Sequence, residues 1–138
     1  MSTPEQLAVA SEWVAKAESD LRAAAALLRE KDCPTDAVCF HAQQAVEKYL
    51  KALLATLQTE FPKTHNIRTL VKLLGPHHQI PLSESEQNTL TDYATSARYP
   101  GFGVIPLSET RRAVSAARRV RKHVRSLLPK EALRWRKR

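Results

Sequence analysis

The segment from Phe40 to Lys51 constrains the fold most, because it predicts an apolar helix that carries one polar stripe. At about 3.6 residues per turn, an imidazole, an amide and two ammonium groups fall on this stripe at steps of three and four. They are His41, Gln44, Lys48 and Lys51. Most of the remaining circumference is apolar, and a helix of that kind lies inside a bundle. We therefore expect the stripe to face a groove, a partner or paired groups, and its chemistry would suit an anionic or nucleotide-like ligand.

Helix-start signals divide the chain into separate elements. Residues 3–6, Thr-Pro-Glu-Gln, have the pattern of a capping box with proline at the first helical position. The helix that follows should run to about Glu30, and its apolar repeat of 3.5 residues favours antiparallel packing against another long helix. Ser83 and Glu86 form a second capping box, and Ser108 is expected to cap the last helix.

Breaks between these signals complete the predicted architecture. A second helix is expected from about Pro34 to Gln58, and a short third helix carries Ile67 and Leu74 inward before Gly75 closes it. Residues 98–107 contain two glycines and two prolines, which predict a loop. No strand pattern is found. The predicted fold class is all-α, an antiparallel up-and-down bundle of four long helices plus a short helix.

Length and composition limit the class of protein. The 138 residues fit one domain, which we divide into a helical bundle over residues 1–128 and a basic C-terminal tail over residues 129–138. The longest apolar run, residues 23–28, is too short to span a bilayer, and the N-terminus lacks a signal-peptide pattern, so a cytoplasmic protein is predicted. Cys33 and Cys39 have no second ligand pair nearby, and no disulfide framework, metal site or cofactor is expected.

Positive charge is concentrated at the C-terminal end. Residues 108–138 hold 12 of the 22 Lys and Arg residues but only two of the 14 acidic ones, a balance of +10, so the rest of the chain carries −2 of the total +8. The predicted last helix presents a basic face outside its apolar seam. It consists of Arg111, Arg112, Arg118, Arg119, Lys122 and Arg125. Such a face could meet nucleic acid, an acidic partner or only water.

Four blocks of residues, in order along the chain, carry a resemblance to a known family. They are Trp13 with Ala17-x-x-Asp20-Leu21, then His41-Ala42-Gln43-Gln44-Ala45-x-Glu47-Lys48-x-Leu50-Lys51-Ala52, then Pro62-x-Thr64-His65-x-Ile67, and finally Ala97-Arg98-Tyr99-Pro100. These blocks resemble the HEPN family, the higher-eukaryote and prokaryote nucleotide-binding domain. The resemblance implies a helical bundle that is commonly dimeric. It also implies one of several roles: nucleotide binding, partnership with a minimal nucleotidyltransferase, often in a toxin–antitoxin pair, or metal-independent RNA cleavage.

Our first functional prediction is a non-catalytic module that binds a nucleotide or RNA phosphate. This chain has no room for a nucleotidyltransferase domain of its own, so that partner would be a separate protein, and a homodimer is expected. Ligand-binding candidates are His41, Gln44, Lys48, Lys51, His65, Arg98 and Tyr99. Two alternatives stay open: in the first, the stripe serves only intrahelical contacts, Gln43 to Glu47 and Glu47 to Lys51, and in the second, Tyr99-Pro100 only packs the loop onto the bundle.

The alternative function is a metal-independent endoribonuclease that uses Arg118 and His123. The resemblance implies an Arg and a His four to six residues apart, and this pair has the required spacing. With 13 arginines and five histidines, however, about 1.4 chance matches are expected at three permitted spacings. Five residues along a helix also separate two side chains by about 140°. A third hypothesis is a nucleic-acid-binding protein that works through the total charge of the basic face.

Overall fold

The structure is a computed structural model that describes residues 2–134, and within them it is all-helical and contains no strand. Five α-helices follow one another: α1 (Pro4–Leu28), α2 (Thr35–Thr56), α3 (Ile67–Leu74), α4 (Glu84–Ala94) and α5 (Leu107–Leu127). Short 3₁₀ helices cover Ser96–Arg98 and Lys130–Leu133. The predicted fold class, a bundle of four long helices plus a short one, is confirmed. None of the described helices has the length and apolar content needed to cross a membrane.

Both predicted capping boxes are present. The Thr3 hydroxyl accepts the backbone N–H of Gln6 at 3.2 Å, and the Gln6 side chain accepts the backbone N–H of Thr3 at 2.8 Å. Ser83 and Glu86 repeat this exchange at the start of α4, at 3.0 and 2.9 Å. Each box satisfies two backbone donors that a helix start leaves without partners, so these two boundaries follow from local sequence.

Other predicted boundaries were wrong by one or two residues. Ser108 does not cap α5, which begins at Leu107 with Pro106 as its N-cap residue. The Thr110 hydroxyl donates to the Pro106 carbonyl at 3.0 Å. At the other end of α2, the helix stops at Thr56 instead of Gln58, because Gln58 adopts a positive φ of 57° that cannot continue a right-handed helix.

The centre of the bundle is α2, which packs against α1, α3, α4 and α5. Its largest apolar side chains, Tyr49, Leu50, Leu53 and Leu54, are fully or almost fully buried. On α1 the predicted apolar repeat lies against this core, and its small members allow the two helices to approach closely. The buried repeat positions are Ala10, Val14, Ala17, Leu21 and Ala24.

Residues that follow α5 fold back onto α1. Ala132 is fully buried, and the Ser11 hydroxyl donates to the Arg134 carbonyl at 2.7 Å. The first half of the predicted basic tail therefore lies against the bundle, whereas residues 135–138 lie outside the described residues. The division of the chain after residue 128 stays a prediction.

Candidate functional site

The polar stripe of α2 divides into two clusters, of which the first, the Asp20 cluster, consists of Asp20, His41 and Lys48. Asp20 belongs to α1, and its two carboxylate oxygens hold both stripe residues: His41 Nδ1 lies 2.9 Å from Oδ1, and Lys48 Nζ donates to Oδ2 at 2.5 Å. His41 and Lys48 are both half-buried, so they stay within reach of solvent. The stripe was expected to face a groove, a partner or paired groups. His41 and Lys48 therefore face paired groups.

The second group, the Glu47 cluster, consists of four buried side chains, Glu47, Gln43, Gln44 and Lys51, and the exposed side chain of His65. Lys51 Nζ donates to Glu47 Oε2 at 2.9 Å, and His65 Nδ1 lies 2.8 Å from Oε1. The Gln43 amide donates to Glu47 at 3.2 Å and to the His65 carbonyl at 3.1 Å, and Gln44 donates to Gln43 at 2.7 Å. These bonds include the intrahelical contacts of the alternative interpretation, and they attach the connector after α2 to that helix.

Two aromatic rings complete the enclosure of Lys51. Its ammonium nitrogen lies 5.3 Å from the ring centroid of Trp13 and 5.8 Å from that of Phe61. A cation at this distance from a ring face is attracted by the ring quadrupole. Because Lys51 is buried and already paired with Glu47, it is not available to a ligand in this arrangement, and the same holds for the buried amide of Gln44.

Arg98 and Tyr99 lie at the N-terminal end of the α2 stripe. The guanidinium carbon of Arg98 lies 4.8 Å from the ring centroid of Phe40, and this ring meets the His41 imidazole edge-on at 5.7 Å. Tyr99 remains 71 % exposed, so it does not pack the loop onto the bundle. Arg98 therefore lies over Phe40, the residue before His41, and the Tyr99 ring is accessible.

Basic residues of α5 form two sets, and the first is neutralised by carboxylates. Arg121 and Arg125 both donate to Glu18 of α1, at 2.9 and 2.8 Å, and Arg119 donates to the Glu86 carboxylate and to the Pro81 carbonyl. The hydrogen bond from Arg119 lowers the pKa of Glu86, and the hydrogen bond to Glu18 raises the pKa of Arg121. This set joins α5 to its neighbours.

The second set, which we call the α5 stripe, consists of Arg111, Arg118 and Lys122. All three side chains are exposed, and none forms a hydrogen bond or ion pair with another residue in the 2–134 range. Their spacing of seven and four residues places them on one face of the helix. Arg112 projects elsewhere, into a cavity of about 240 Å³ between α4 and α5, where Tyr93 donates to Glu109 at 2.5 Å.

Comparison with known proteins identifies the family. Residues 10–127, most of the chain, match the family model of the HEPN domain. The chain belongs to the HEPN family. No match was found among curated proteins or among solved structures. Membership of the HEPN family indicates a module related to nucleotides or RNA, and the resemblance expected from the four blocks is confirmed.

Arg118 and His123 do not converge within this HEPN domain. They leave α5 about 140° apart, as five residues of regular helix require. Arg118 is exposed on the α5 stripe, whereas His123 Nε2 is enclosed and has no hydrogen-bond partner among the described residues. Regular helix geometry therefore directs the guanidinium and the imidazole of one chain to different sides of α5.

Within the described part of the HEPN domain, no three His, Cys, Asp or Glu side chains are grouped so that they could hold a metal ion. His78 Nδ1 lies 3.0 Å from the Leu74 carbonyl, a local contact at the end of α3.

Two carboxylate acceptors, Asp20 and Glu18, were not among the predicted site residues. Asp20 is part of the first block of the family resemblance, and no sequence pattern marked Glu18. Both lie on α1, and the groups that they hold follow 21 to 107 residues later in the chain. No local pattern links partners so far apart.

Proposed function

We propose that this HEPN domain is a non-catalytic module that binds RNA or nucleotide phosphates through the α5 stripe. The observation that carries the proposal is the difference between the two basic sets of α5. Arg119, Arg121 and Arg125 are neutralised by carboxylates, whereas Arg111, Arg118 and Lys122 are exposed and have no partner within residues 2–134.

The geometry of the α5 stripe suits an extended anion. From Arg111 to Lys122 the helix rises by about 16 Å, since each residue adds about 1.5 Å. The two guanidinium groups can each bind a phosphate through two parallel hydrogen bonds, and the ammonium group adds a point charge. Replacing small cations around the phosphates with these side chains releases the cations and favours binding at low salt.

The Asp20 cluster is a second contact region in this proposal. His41 and Lys48 are accessible there, Arg98 lies nearby, and the exposed Tyr99 ring offers a surface on which a base can stack. Asp20 offsets the charge of Lys48, so this region attracts phosphate less strongly than the α5 stripe does. We therefore assign the main phosphate contacts to α5 and a positioning contribution to His41, Lys48, Arg98 and Tyr99.

The proposal extends to partners. We infer that the domain works in the cytoplasm as a homodimer beside a separate minimal nucleotidyltransferase, in a toxin–antitoxin-like pair. Membership of the HEPN family supports this inference, because the family resemblance implies partnership with a minimal nucleotidyltransferase, often in a toxin–antitoxin pair. The exposed loop after α4 and the basic α5 stripe offer surfaces on which a partner could bind.

The second candidate function is a metal-independent endoribonuclease. It is favoured by the spacing of Arg118 and His123, which the family resemblance implies for the ribonucleases, and by the Nε2 atom of His123, which has no competing hydrogen bond among the described residues but must become accessible before it can act. In that reaction His123 would take the proton of a ribose 2′-hydroxyl, and Arg118 would stabilise the charge that develops on the phosphate. Because the two side chains diverge within one chain, the reaction would need a substrate or second copy that brings them together.

RNA binding across a salt series tests the main proposal. Binding of a fluorescein-labelled single-stranded RNA would be followed by anisotropy for the wild type and for a stripe variant, Arg111→Ala/Arg118→Ala/Lys122→Ala. The matched control, Lys31→Ala/Lys63→Ala/Lys72→Ala, removes the same charge from exposed positions elsewhere. With about 0.7 of salt slope per phosphate contact on a single strand, the stripe variant should lose about two units of slope. The control should keep the wild-type slope.

Two outcomes contradict the proposal. Equal losses of slope and affinity in both triple variants would show binding driven by total charge alone, which is the third hypothesis. Absence of wild-type binding even at low salt would exclude an RNA-binding role for the α5 stripe.

A further inference from the structure

The cavity between α4 and α5 shares no lining residue with the two polar clusters of α2 or with the α5 stripe. Its volume is about 240 Å³, and its apolar lining includes Leu90, Ala113 and Ala116, which are all buried. At about 30 Å³ for each water, this volume corresponds to about eight water molecules. Pockets for drug-sized ligands reach about 300–1,000 Å³. The cavity therefore suits a smaller ligand that has an apolar part.

One carboxylate in the cavity is held in a fixed position. Tyr93 lies on the α4 side, is only 2 % exposed and donates to Glu109 Oε2 at 2.5 Å. Burial and this hydrogen bond raise the pKa of the Tyr93 hydroxyl, so it stays protonated and remains a donor at neutral pH. The other carboxylate oxygen, Glu109 Oε1, accepts no hydrogen bond from a residue that the structure describes. A ligand can therefore use this oxygen as an acceptor.

A guanidinium group lies beside that carboxylate. Arg112 follows Glu109 by three residues on α5, so the two side chains are neighbours on the helix surface, and both line the cavity. No ion pair joins them, and Arg112 makes no hydrogen bond to any residue between 2 and 134. The other carboxylate in the lining, Glu86, is already neutralised by Arg119. The cavity therefore offers one negative and one positive group side by side.

We propose that this cavity binds a free α-amino acid with an apolar side chain. The ammonium group of the ligand donates to Glu109 Oε1, and its carboxylate accepts two hydrogen bonds from the Arg112 guanidinium. The ligand's side chain covers the apolar lining. This site is separate from the α5 stripe, so the inference goes beyond phosphate binding and does not depend on it.

The charges of the cavity favour a zwitterion over simpler ions. A cation would pair with Glu109 but would approach Arg112 without a counter-charge, and an anion would pair with Arg112 but would approach Glu109 in the same way. An α-amino acid carries its two charged groups on one carbon atom. That separation suits two side chains that leave a helix three residues apart.

Amide NMR spectra of isotope-labelled protein, recorded during titration with L-leucine, test the proposal. We expect saturable shifts at amides of α4 and α5 around the cavity. Two matched probes keep the branched chain of leucine but lose one charged group: isocaproate lacks the ammonium group, and isoamylamine lacks the carboxylate. Each should bind at least about tenfold more weakly than L-leucine, because it loses one charge-assisted hydrogen-bonded contact.

Two variants test the assigned residues. Glu109→Gln keeps an acceptor for Tyr93 but removes the charge, and Arg112→Gln removes the guanidinium group. Each should weaken L-leucine binding at least about tenfold. The matched controls, Glu84→Gln and Arg22→Gln, change exposed charges outside the cavity and should bind L-leucine within about twofold of the wild type. The same spectra show whether each variant is folded.

Three results would overturn the proposal. The first is a titration without saturable shifts, or with shifts only outside α4 and α5. The second is equal binding of L-leucine, isocaproate and isoamylamine, which would show that the apolar chain alone is recognised. The third is wild-type affinity in both Glu109→Gln and Arg112→Gln.

Discussion

Lys51 and Glu47 form an ion pair inside the bundle, with 2.9 Å between Nζ and Oε2 and one helical turn of α2 between them. Both side chains are almost completely buried, and Gln43, Gln44 and His65 complete the hydrogen bonds around the carboxylate. Removing two charges from water costs free energy that a buried pair only partly recovers. The cluster therefore specifies how α2 meets the connector more than it raises the stability of the fold.

Loss of one partner of this pair should be severe. We expect Glu47→Ala to lower the free energy of unfolding by about 3–5 kcal/mol, because it leaves the Lys51 ammonium buried without a carboxylate. Urea unfolding followed by circular dichroism measures the change. Glu84→Ala, which removes an exposed carboxylate with a long contact of 3.6 Å to Arg68, is the control and should cost less than about 1 kcal/mol. If Glu47→Ala lowered the free energy of unfolding by less than about 1 kcal/mol, the Lys51 ammonium would be readily solvated after the substitution, contrary to its burial.

The two cysteines should differ in reactivity. Burial raises the pKa of the Cys39 thiol to about 11, whereas Cys33 is half-buried. At pH 8 only about one Cys39 in a thousand is a thiolate, the form that reacts. Titration of the folded protein with Ellman's reagent should therefore show one thiol that reacts promptly and one that reacts only after guanidinium is added. The prompt reaction should be absent in Cys33→Ser, and two prompt thiols in the wild type would contradict the burial of Cys39.

Acid stability should depend on the contact between Glu86 and Arg119. The pKa of Glu86 is lowered below its ordinary value of 4.5, mainly by the hydrogen bond from Arg119. A lowered pKa in the folded state contributes stability above the pKa of the unfolded state, and this contribution is lost as the pH falls through the folded pKa. Arg119→Ala should therefore lose less stability than the wild type between neutral pH and about pH 3.

The size of that difference should be small. Both side chains are partly exposed, and solvent screening limits the contribution to less than about 1 kcal/mol. Arg118→Ala, one residue away and without a carboxylate partner among the described residues, should keep the wild-type pH dependence. If the free energy of unfolding depended on pH in the same way in the wild type and in Arg119→Ala, Arg119 would not be the cause of the lowered pKa of Glu86. Urea unfolding at each pH supplies the measurement.

RNA should remain intact when the purified protein is incubated with it in excess chelator. The reason is geometric, because Arg118 and His123 leave α5 about 140° apart and His123 Nε2 is enclosed. An Arg118→Ala/His123→Ala variant, prepared in parallel, controls for trace contamination and should give the same result in a gel assay. Cleavage by the wild type that disappears in this variant would instead establish a metal-independent ribonuclease.

Much of the fold could be predicted from local sequence. Each capping box, at Thr3 and at Ser83, joins residues only three positions apart. The apolar repeats of α1 and α2 likewise join residues within one or two helical turns. The central position of α2 followed from its composition alone. Two boundaries were less accurate: Ser108 was a misleading cap signal for the start of α5, and the end of α2 near Gln58 carries no local signal.

Whether each candidate residue is paired, buried or accessible was decided by the tertiary structure. The sequence by itself placed His41, Gln44, Lys48 and Lys51 on one line, but helix packing paired two of them with Asp20 and buried the other two. On α5 the sequence determined only that one face is basic. Whether an arginine is neutralised or available depends on which carboxylate the bundle brings near it, and Glu18 lies more than 100 residues before Arg121 and Arg125. Helix formation depends on residues that are close in sequence. Charge pairing depends on how whole helices pack and are rotated relative to one another.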